Sequence, residues 1–429
     1  MRLKHLVTNT LKKIFSSNVF KNGAWLYVLQ IFNTLVPFLT LPYITRVMGS
    51  SSFGFFSFSL NIIGYFQVLV EYGFNLSASR KIAITNDKKE INRIFSSIMV
   101  IKLLLCFITF IVMFFIIILF DIKKEQSLTM FILYLLVVGS SIQQTWLFQG
   151  LQRMKYITII SVIARSISLI LIFVFVKNAD DLYLYSFLYA FTFLFSGIAS
   201  LILVFKTLKI KFVLPSYQDI ILELRDGWHT FTTSAMTKIF SGFGITTLGI
   251  TSTEAAVGIY SAIQKIPLII SMMFAPISQA IFPYISKHYT DSFNKGLNKV
   301  KVIGLYVMPI IIFISLVLVV ESESLVRILF GEEYAEYSFL LIPLTCWMFF
   351  SVLNNFLGIQ ILVASGYLKE YSTAFKLGLL ALLIVNIVFG SIWGVFGIAL
   401  AAFVGEFILS IALIYQIRKV ILYEKVKGA

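Results

Sequence analysis

The pentapeptide FGFFS, Phe53–Ser57, returns in near likeness as VGIYS, Val257–Ser261. The offset is 204 residues in a chain of 429, close to half its length. Each copy stands near the outer end of an apolar run, the second run of the chain in one case and the eighth in the other. A second echo, KYIT at Lys155–Thr158 and EYST at Glu370–Thr373, opens the fifth run of each half. Together the two echoes predict a duplicated chain whose halves run in the same direction.

Outward from these motifs the sequence is dominated by apolar runs. Hydrophobic residues make up 59% and charged residues 13% of the chain, whereas a soluble domain carries roughly 25% charged residues. Crossing about 30 Å of hydrocarbon takes about 20 helical residues. Runs of that length lie at 24–46, 53–76, 96–120, 128–149, 157–177, 182–205, 227–249, 257–284, 301–320, 338–363, 372–391 and 393–417. The expected fold is therefore all-α, a polytopic membrane protein with twelve transmembrane helices in two six-helix lobes related by a pseudo-twofold axis. The lobes are expected at 1–206 and 227–429, joined by a cytoplasmic linker at 207–226. In a parallel repeat the axis lies along the membrane normal, and substrate sites form near mid-depth where the lobes meet.

Loop charges orient the chain. Of 35 Lys and Arg residues, 25 fall in the N-terminus, the C-terminal tail and the loops on their side, and five in the opposite loops. Basic loops resist translocation, so both termini are expected in the cytoplasm. The first apolar run is too long for the core of a cleaved leader, and the N-terminal segment is expected to be retained. Its LKKIFSSNVF, Leu11–Phe20, reads either as an interfacial helix or as a frayed tail. In the linker, Tyr217–Leu224 is amphipathic and suits a surface helix as well as a plain long loop. Topology accounts for the net charge of +15 without nucleic acid. Cys106 and Cys346 sit in apolar runs, so neither a disulfide framework nor a metal site is expected.

Five basic residues remain within the spans: Lys102, Arg165, Lys238, Lys265 and Lys376. Lys102 and Lys376 are near enough to the inner boundary to snorkel. Lys238 lies roughly 16 Å from the inner boundary and Lys265 roughly 12 Å below the outer one, at 1.5 Å per residue. Insertion scales set the cost of such a cation at about 2.5 to 3.5 kcal/mol, and intramembrane charges generally face an interior or a wet path. Two deep lysines with one deep carboxylate, Glu406 in span twelve, point to an anionic guest. Ion pairs that merely lock helices together are the competing reading, above all for Arg165 and Glu406. Glu71, at the inner end of span two, reads as a gate or an anchor. Gln30, Asn33, Asn61, Gln143, Gln144, Asn354 and Asn355 offer hydrogen bonds either to a hydroxyl-rich ligand or from helix to helix. Prolines at 37 and 42 in span one, and at 267, 276 and 283 in span eight, are expected to kink their helices.

Three stretches carry a family resemblance: LPYITRVMGSSSFGFFSFSLNIIGYFQVLVEYGFNLSASRKIA (Leu41–Ala83), QQTWLFQGLQRMKYIT (Gln143–Thr158) and VGIYSAIQKIPLIISMMFAPISQAIFPYISK (Val257–Lys287). They resemble the Wzx-type O-antigen flippases, a polysaccharide biosynthesis protein family of the multidrug/oligosaccharidyl-lipid/polysaccharide superfamily. The resemblance implies a non-enzymatic carrier in the bacterial inner membrane, moving an undecaprenyl-pyrophosphate-linked oligosaccharide from the cytoplasmic to the outer leaflet by alternating access. It implies a cationic lumen, into which Lys238, Lys265 and Arg165 would fit as substrate-binding residues with Asn33, Asn61 and Gln144. It implies no cofactor, with coupling to H+ or Na+ for which Glu406 and Glu71 are the candidates. Its implied partners are the bilayer, a glycan polymerase and a chain-length regulator. In the first lobe the deep positions are Asn33 and Asn61 rather than cations, so the charge arrangement is not symmetric.

Two rivals stand beside this reading. A multidrug antiporter of the same fold would call for acidic lumen residues to hold cationic drugs. A membrane glycosyltransferase or polymerase would call for catalytic carboxylates in a large outer loop, and ESESLVRILFGEEYAEYS (Glu321–Ser338) has five Glu without such a framework. A scaffold for a glycan-assembly complex is compatible with the sequence as well.

Overall fold

The computed structural model describes residues 18–85 and 87–427. Two long helices are each broken by one glycine. Helix α1 (Asn18–Glu71) contains Gly49 at φ 70° and ψ 174°, a left-handed setting that glycine adopts without a Cβ clash. The break divides the first apolar run from the second. At the other end of the chain, α14 (Leu368–Lys427) turns at Gly394, φ 53°, and divides the eleventh run from the twelfth.

Between them lie α2 (Phe74–Ile84), α3 (Lys88–Leu119), α4 (Lys124–Ile142), α5 (Thr145–Gly150), α6 (Met154–Phe175), α7 (Leu182–Lys206), α8 (Tyr217–Thr251), α9 (Glu254–Asp291) and α10 (Phe293–Val320). Short helices α11 (Ser322–Phe330) and α12 (Glu332–Ala335) follow, and α13 (Leu341–Asn354) runs on as a π-helix over Asn355–Val363. Among the described residues nine stretches are long and apolar enough to cross a membrane, and the two glycine-broken ones hold two spans each. Helix α8 falls outside that set because threonines, Lys238 and the charged start of the helix dilute its hydropathy. With its 35 residues it is about 52 Å long, and counting it the described residues hold twelve helical stretches long enough to cross a bilayer.

Side-chain placement follows the lipid solvent. On α3, Ile98, Ile101 and Met113 are buried while Leu104, Phe107, Phe115 and Ile118 are exposed. Apolar residues occupy both faces because lipid is as apolar as the protein interior, and polar groups withdraw inward instead.

Contacts divide the chain into two compact units, one of residues up to Met48 with Ser59–Ile239, the other of Gly49–Phe58 with Phe240–Ala429. In the second unit the two repeat motifs cross one another. A Cβ on Gly54 would lie 1.8 Å from the Glu254 carbonyl oxygen, and one on Gly258 would lie 2.0 Å from the Ser50 carbonyl oxygen. Ser50 and Glu254 stand at the same 204-residue offset as the two glycines, so the crossing repeats itself about a local pseudo-twofold axis. Small residues let backbones approach this closely in membranes.

Three expectations change. The fourth run, 128–149, is two helices: α4 ends at Ile142 and α5 starts at Thr145, with Gln143 extended between them. Lys102 accounts for the break. It does not snorkel; it is 3% exposed, and its Nζ donates to the carbonyls of Ser140 (2.6 Å) and Gln143 (3.3 Å). An ammonium thus satisfies carbonyls left open at a helix end. Finally, the surface helix begun at Tyr217 and span seven form one unbroken rod, α8. Its first turns are tied to α2 and α3 by Lys81 with Glu223 (2.9 Å) and Asp226 (2.7 Å), and by Arg93 with Asp219 (2.5 Å). Leu11–Phe20, apart from its last three residues, lies outside the described residues.

Candidate functional site

Lys238 on α8 meets the second half of α1. Its Nζ donates to Asn61 Oδ1 at 3.1 Å and lies 5.1 Å from the Tyr65 ring centroid. Asn61, Gly64 and Tyr65 are three and four residues apart, hence on one helix face. A Cβ at Gly64 would stand 2.7 Å from both Cε and Nζ of Lys238, so the ammonium rests against bare backbone. The side chain is half-buried. An amide oxygen and a ring face stabilise an ammonium without cancelling its charge.

The other expected residues are distributed as follows. Arg165 on α6 borders a cavity of about 180 Å³ shared with Gln143, Thr145 and residues of α7. Among the described residues it makes no hydrogen bond or ion pair, so the locking ion pair weighed from the sequence is not formed there. Lys265 on α9 is exposed at its own depth, likewise without a hydrogen bond or ion pair among the described residues. Asn33 lies in α1, and its side chain falls outside the described residues. Gln144 is fully buried at the α4–α5 break; its Nε2 donates to the Ile142 carbonyl (2.8 Å) and to Met99 Sδ (3.4 Å), while its backbone N–H donates to Ser200 Oγ (3.2 Å).

Glu71 accepts from Gln67 Nε2 at 2.9 Å and lines a cavity of about 380 Å³ with Asn75, His229, Thr230, Thr233 and Ser234. The Lys102 ammonium is near enough for its charge to act on the Glu71 carboxylate. Glu406 is 6% exposed and belongs to a closed network of the second unit. Asn354 Nδ2 donates to its Oε2 (2.6 Å) and to its carbonyl (2.9 Å), and Ser410 Oγ donates to Asn354 Oδ1 (2.6 Å). No basic side chain pairs with Glu406 among the described residues. Beside this network the π-helix turns Asn355 and Gln360 toward Ser278 of α9: Ser278 Oγ donates to Asn355 Oδ1 (2.6 Å), and Gln360 Nε2 donates to the Ser278 carbonyl (3.0 Å).

Sequence reasoning did not anticipate Lys102 as a helix-end cap or Gly64 as the floor under Lys238. The signal for Gly64 is its place three residues after Asn61. For Lys102 there is none, since its carbonyl partners are 38 and 41 residues away.

Residues 19–289 match the family described as polysaccharide biosynthesis protein. Over 367 residues, 85% of this chain and 88% of the relative, the chain is 31% identical to the protein of Escherichia coli K12 named "Putative O-antigen transporter". The fold is similar to that of the lipid II flippase MurJ in an inward closed conformation, with a TM-score of 0.71 at 16% identity over 93% of this chain and 87% of that one. It is also similar to an inward-facing multidrug resistance MATE family transporter of the MOP superfamily, with a TM-score of 0.74 at 14% identity over 92% and 96% of the two chains. At such identities these two structures speak for the fold alone.

Proposed function

The chain belongs to the polysaccharide biosynthesis protein family, and from that premise we propose that it is a flippase for undecaprenyl-pyrophosphate-linked oligosaccharide repeat units. It carries them from the cytoplasmic to the outer leaflet by alternating access of two lobes, residues 1–206 and 227–429, with both termini in the cytoplasm of a bacterial inner membrane. Hydrocarbon rejects the diphosphate and the sugars but accepts the polyprenyl tail. A carrier therefore needs cations and amides for the headgroup while the tail stays in lipid.

The observation that carries this reading is Lys238, an ammonium half-buried at membrane depth on an amide oxygen and a bare glycine. Lys265, exposed at its own depth, supplies a second amine. A guest that binds both facing states equally does not bias them, so direction comes from a coupled ion. Glu406 is the carboxylate we assign to that step, because its network holds it with an amide and a hydroxyl rather than a fixed cation.

Export of lipid-linked glycan tests the proposal. Lys238→Ala and Lys265→Ala each lower export while the protein still inserts. Wild-type export by the double variant at matched membrane abundance would remove the amines from the mechanism. Drug efflux by the wild type, with no glycan phenotype on deletion, would favour the multidrug reading.

A further inference from the structure

The cavity beside Arg165 lies wholly within the first unit and is built largely of unused hydrogen-bonding groups. Its wall includes Gln143 and Thr145 from the α4–α5 break, Ser161 and Arg165 from α6, and Thr192 and Ser196 from α7. Thr192 Oγ1 donates to the Tyr189 carbonyl at 2.8 Å. That is the usual resort of a hydroxyl inside a helix, whereas Ser168 on α6 donates across to the Leu188 carbonyl of α7 at 2.9 Å. The side chains of Gln143, Thr145, Ser161, Arg165 and Ser196 make no hydrogen bond among the described residues. Ser161 is 8% and Ser196 4% exposed. Buried polar groups are overwhelmingly paired; the two buried hydroxyls, with the partly exposed Gln143, Thr145 and Arg165 beside them, face a space suited to a polar occupant.

Charge identifies the occupant. Among the described residues no carboxylate neutralises Arg165; the titratable group acting on it is the phenol of Tyr189. A guanidinium presents a planar fork of donors that fits two coplanar acceptor oxygens. The amide and the hydroxyls can donate to further oxygens. The cavity of about 180 Å³ has room for several waters, or for one small oxyanion with some water around it.

We infer that this cavity is an oxyanion-binding site, taking a carboxylate or phosphate group on Arg165 with Gln143, Thr145, Ser161 and Ser196 as its remaining donors. It is distinct from the Lys238 cluster and does not depend on the transport reading. The group arrives as the carboxylate of an acidic sugar, as a lipid headgroup phosphate or as a soluble anion.

The test uses the full chain purified in maltoside detergent and carrying Lys238→Ala and Lys265→Ala, so that the transport amines hold no anion. Calorimetric titration with inorganic phosphate and with glucuronate is expected to show one site. Arg165→Gln weakens it by about tenfold or more, as loss of charge-assisted hydrogen bonds does. Arg165→Lys weakens it less, and Ser196→Leu, which fills the cavity and keeps the guanidinium, abolishes it. Preference for glucuronate marks an acidic sugar, displacement by phosphatidylglycerol marks a lipid headgroup, and phosphate binding indifferent to lipid marks a soluble anion. Absence of heat with either anion, or equal affinity across the parent and those variants that fold, would leave the cavity to water and overturn the inference.

Discussion

Lys102 and Lys238 are both lysines inside the membrane, and the protein treats them in opposite ways. Lys102 is sealed, its ammonium spent on two carbonyls at the end of α4 and close to the Glu71 carboxylate. Lys238 is half-buried, laid on an amide and an aromatic face over a glycine. One charge caps a broken helix end, and the other lies half-buried between two helices. Depth in the membrane alone does not separate the two; the chemistry of the partner does.

Four variants sharpen that contrast. Lys102→Met should cause the largest loss, about 3 kcal/mol, since two buried carbonyls lose a charged donor. Thermal unfolding of the purified protein measures it, and an unchanged transition would mean that the α4 break stands without the cap. Lys238→Ala should act on transport instead, lowering export by about tenfold, or 1.4 kcal/mol, with little change in unfolding temperature. A drop in stability matching that of Lys102→Met would erase the distinction.

The Glu406 network is the carboxylate analogue of the sealed lysine. Ser410→Ala there should cost about 1 kcal/mol of stability for one lost hydrogen bond, again read by thermal unfolding. Gly64→Ala should have the smallest effect, a loss of export of about threefold, near 0.7 kcal/mol, as the methyl pushes the Lys238 tip off its floor. If export is untouched by Gly64→Ala but lost in Lys238→Ala, the ammonium acts from a different position than the one it occupies here.

Much of the architecture was legible in residues alone. Gly54 and Gly258 belong to the two motifs that revealed the duplication, and they are the residues at which those motifs cross. Twelve crossings followed from run lengths, because hydrocarbon thickness sets helix length. The α4–α5 break was not legible: the polar residues at 140–145 read equally as helix-to-helix hydrogen-bonding groups, and the carbonyls at the break are met by an amine brought from α3. Nor was the continuity of α8 legible across 226–227, where a polar stretch with Gly227 reads as a linker, while tertiary ties such as Lys81 with Glu223 and Asp226 hold the helix there.

For the candidate site the division is sharper. The residue types were visible as exceptions to hydropathy: Lys238, Lys265, Arg165, Glu406 and the amides. Which of them meet was not, because partners such as Lys238 on α8 and Asn61 on α1 are 177 residues apart along the chain.

What the sequence by itself determined is the membrane as solvent, the apolar runs, the duplication and the family. All of these depend on composition and period, which are sums along the chain. Tertiary structure alone decided the surroundings of each intramembrane lysine, because an ammonium at 2.6 Å from a distant carbonyl and one resting on an amide and a glycine differ only in what the fold brings to them.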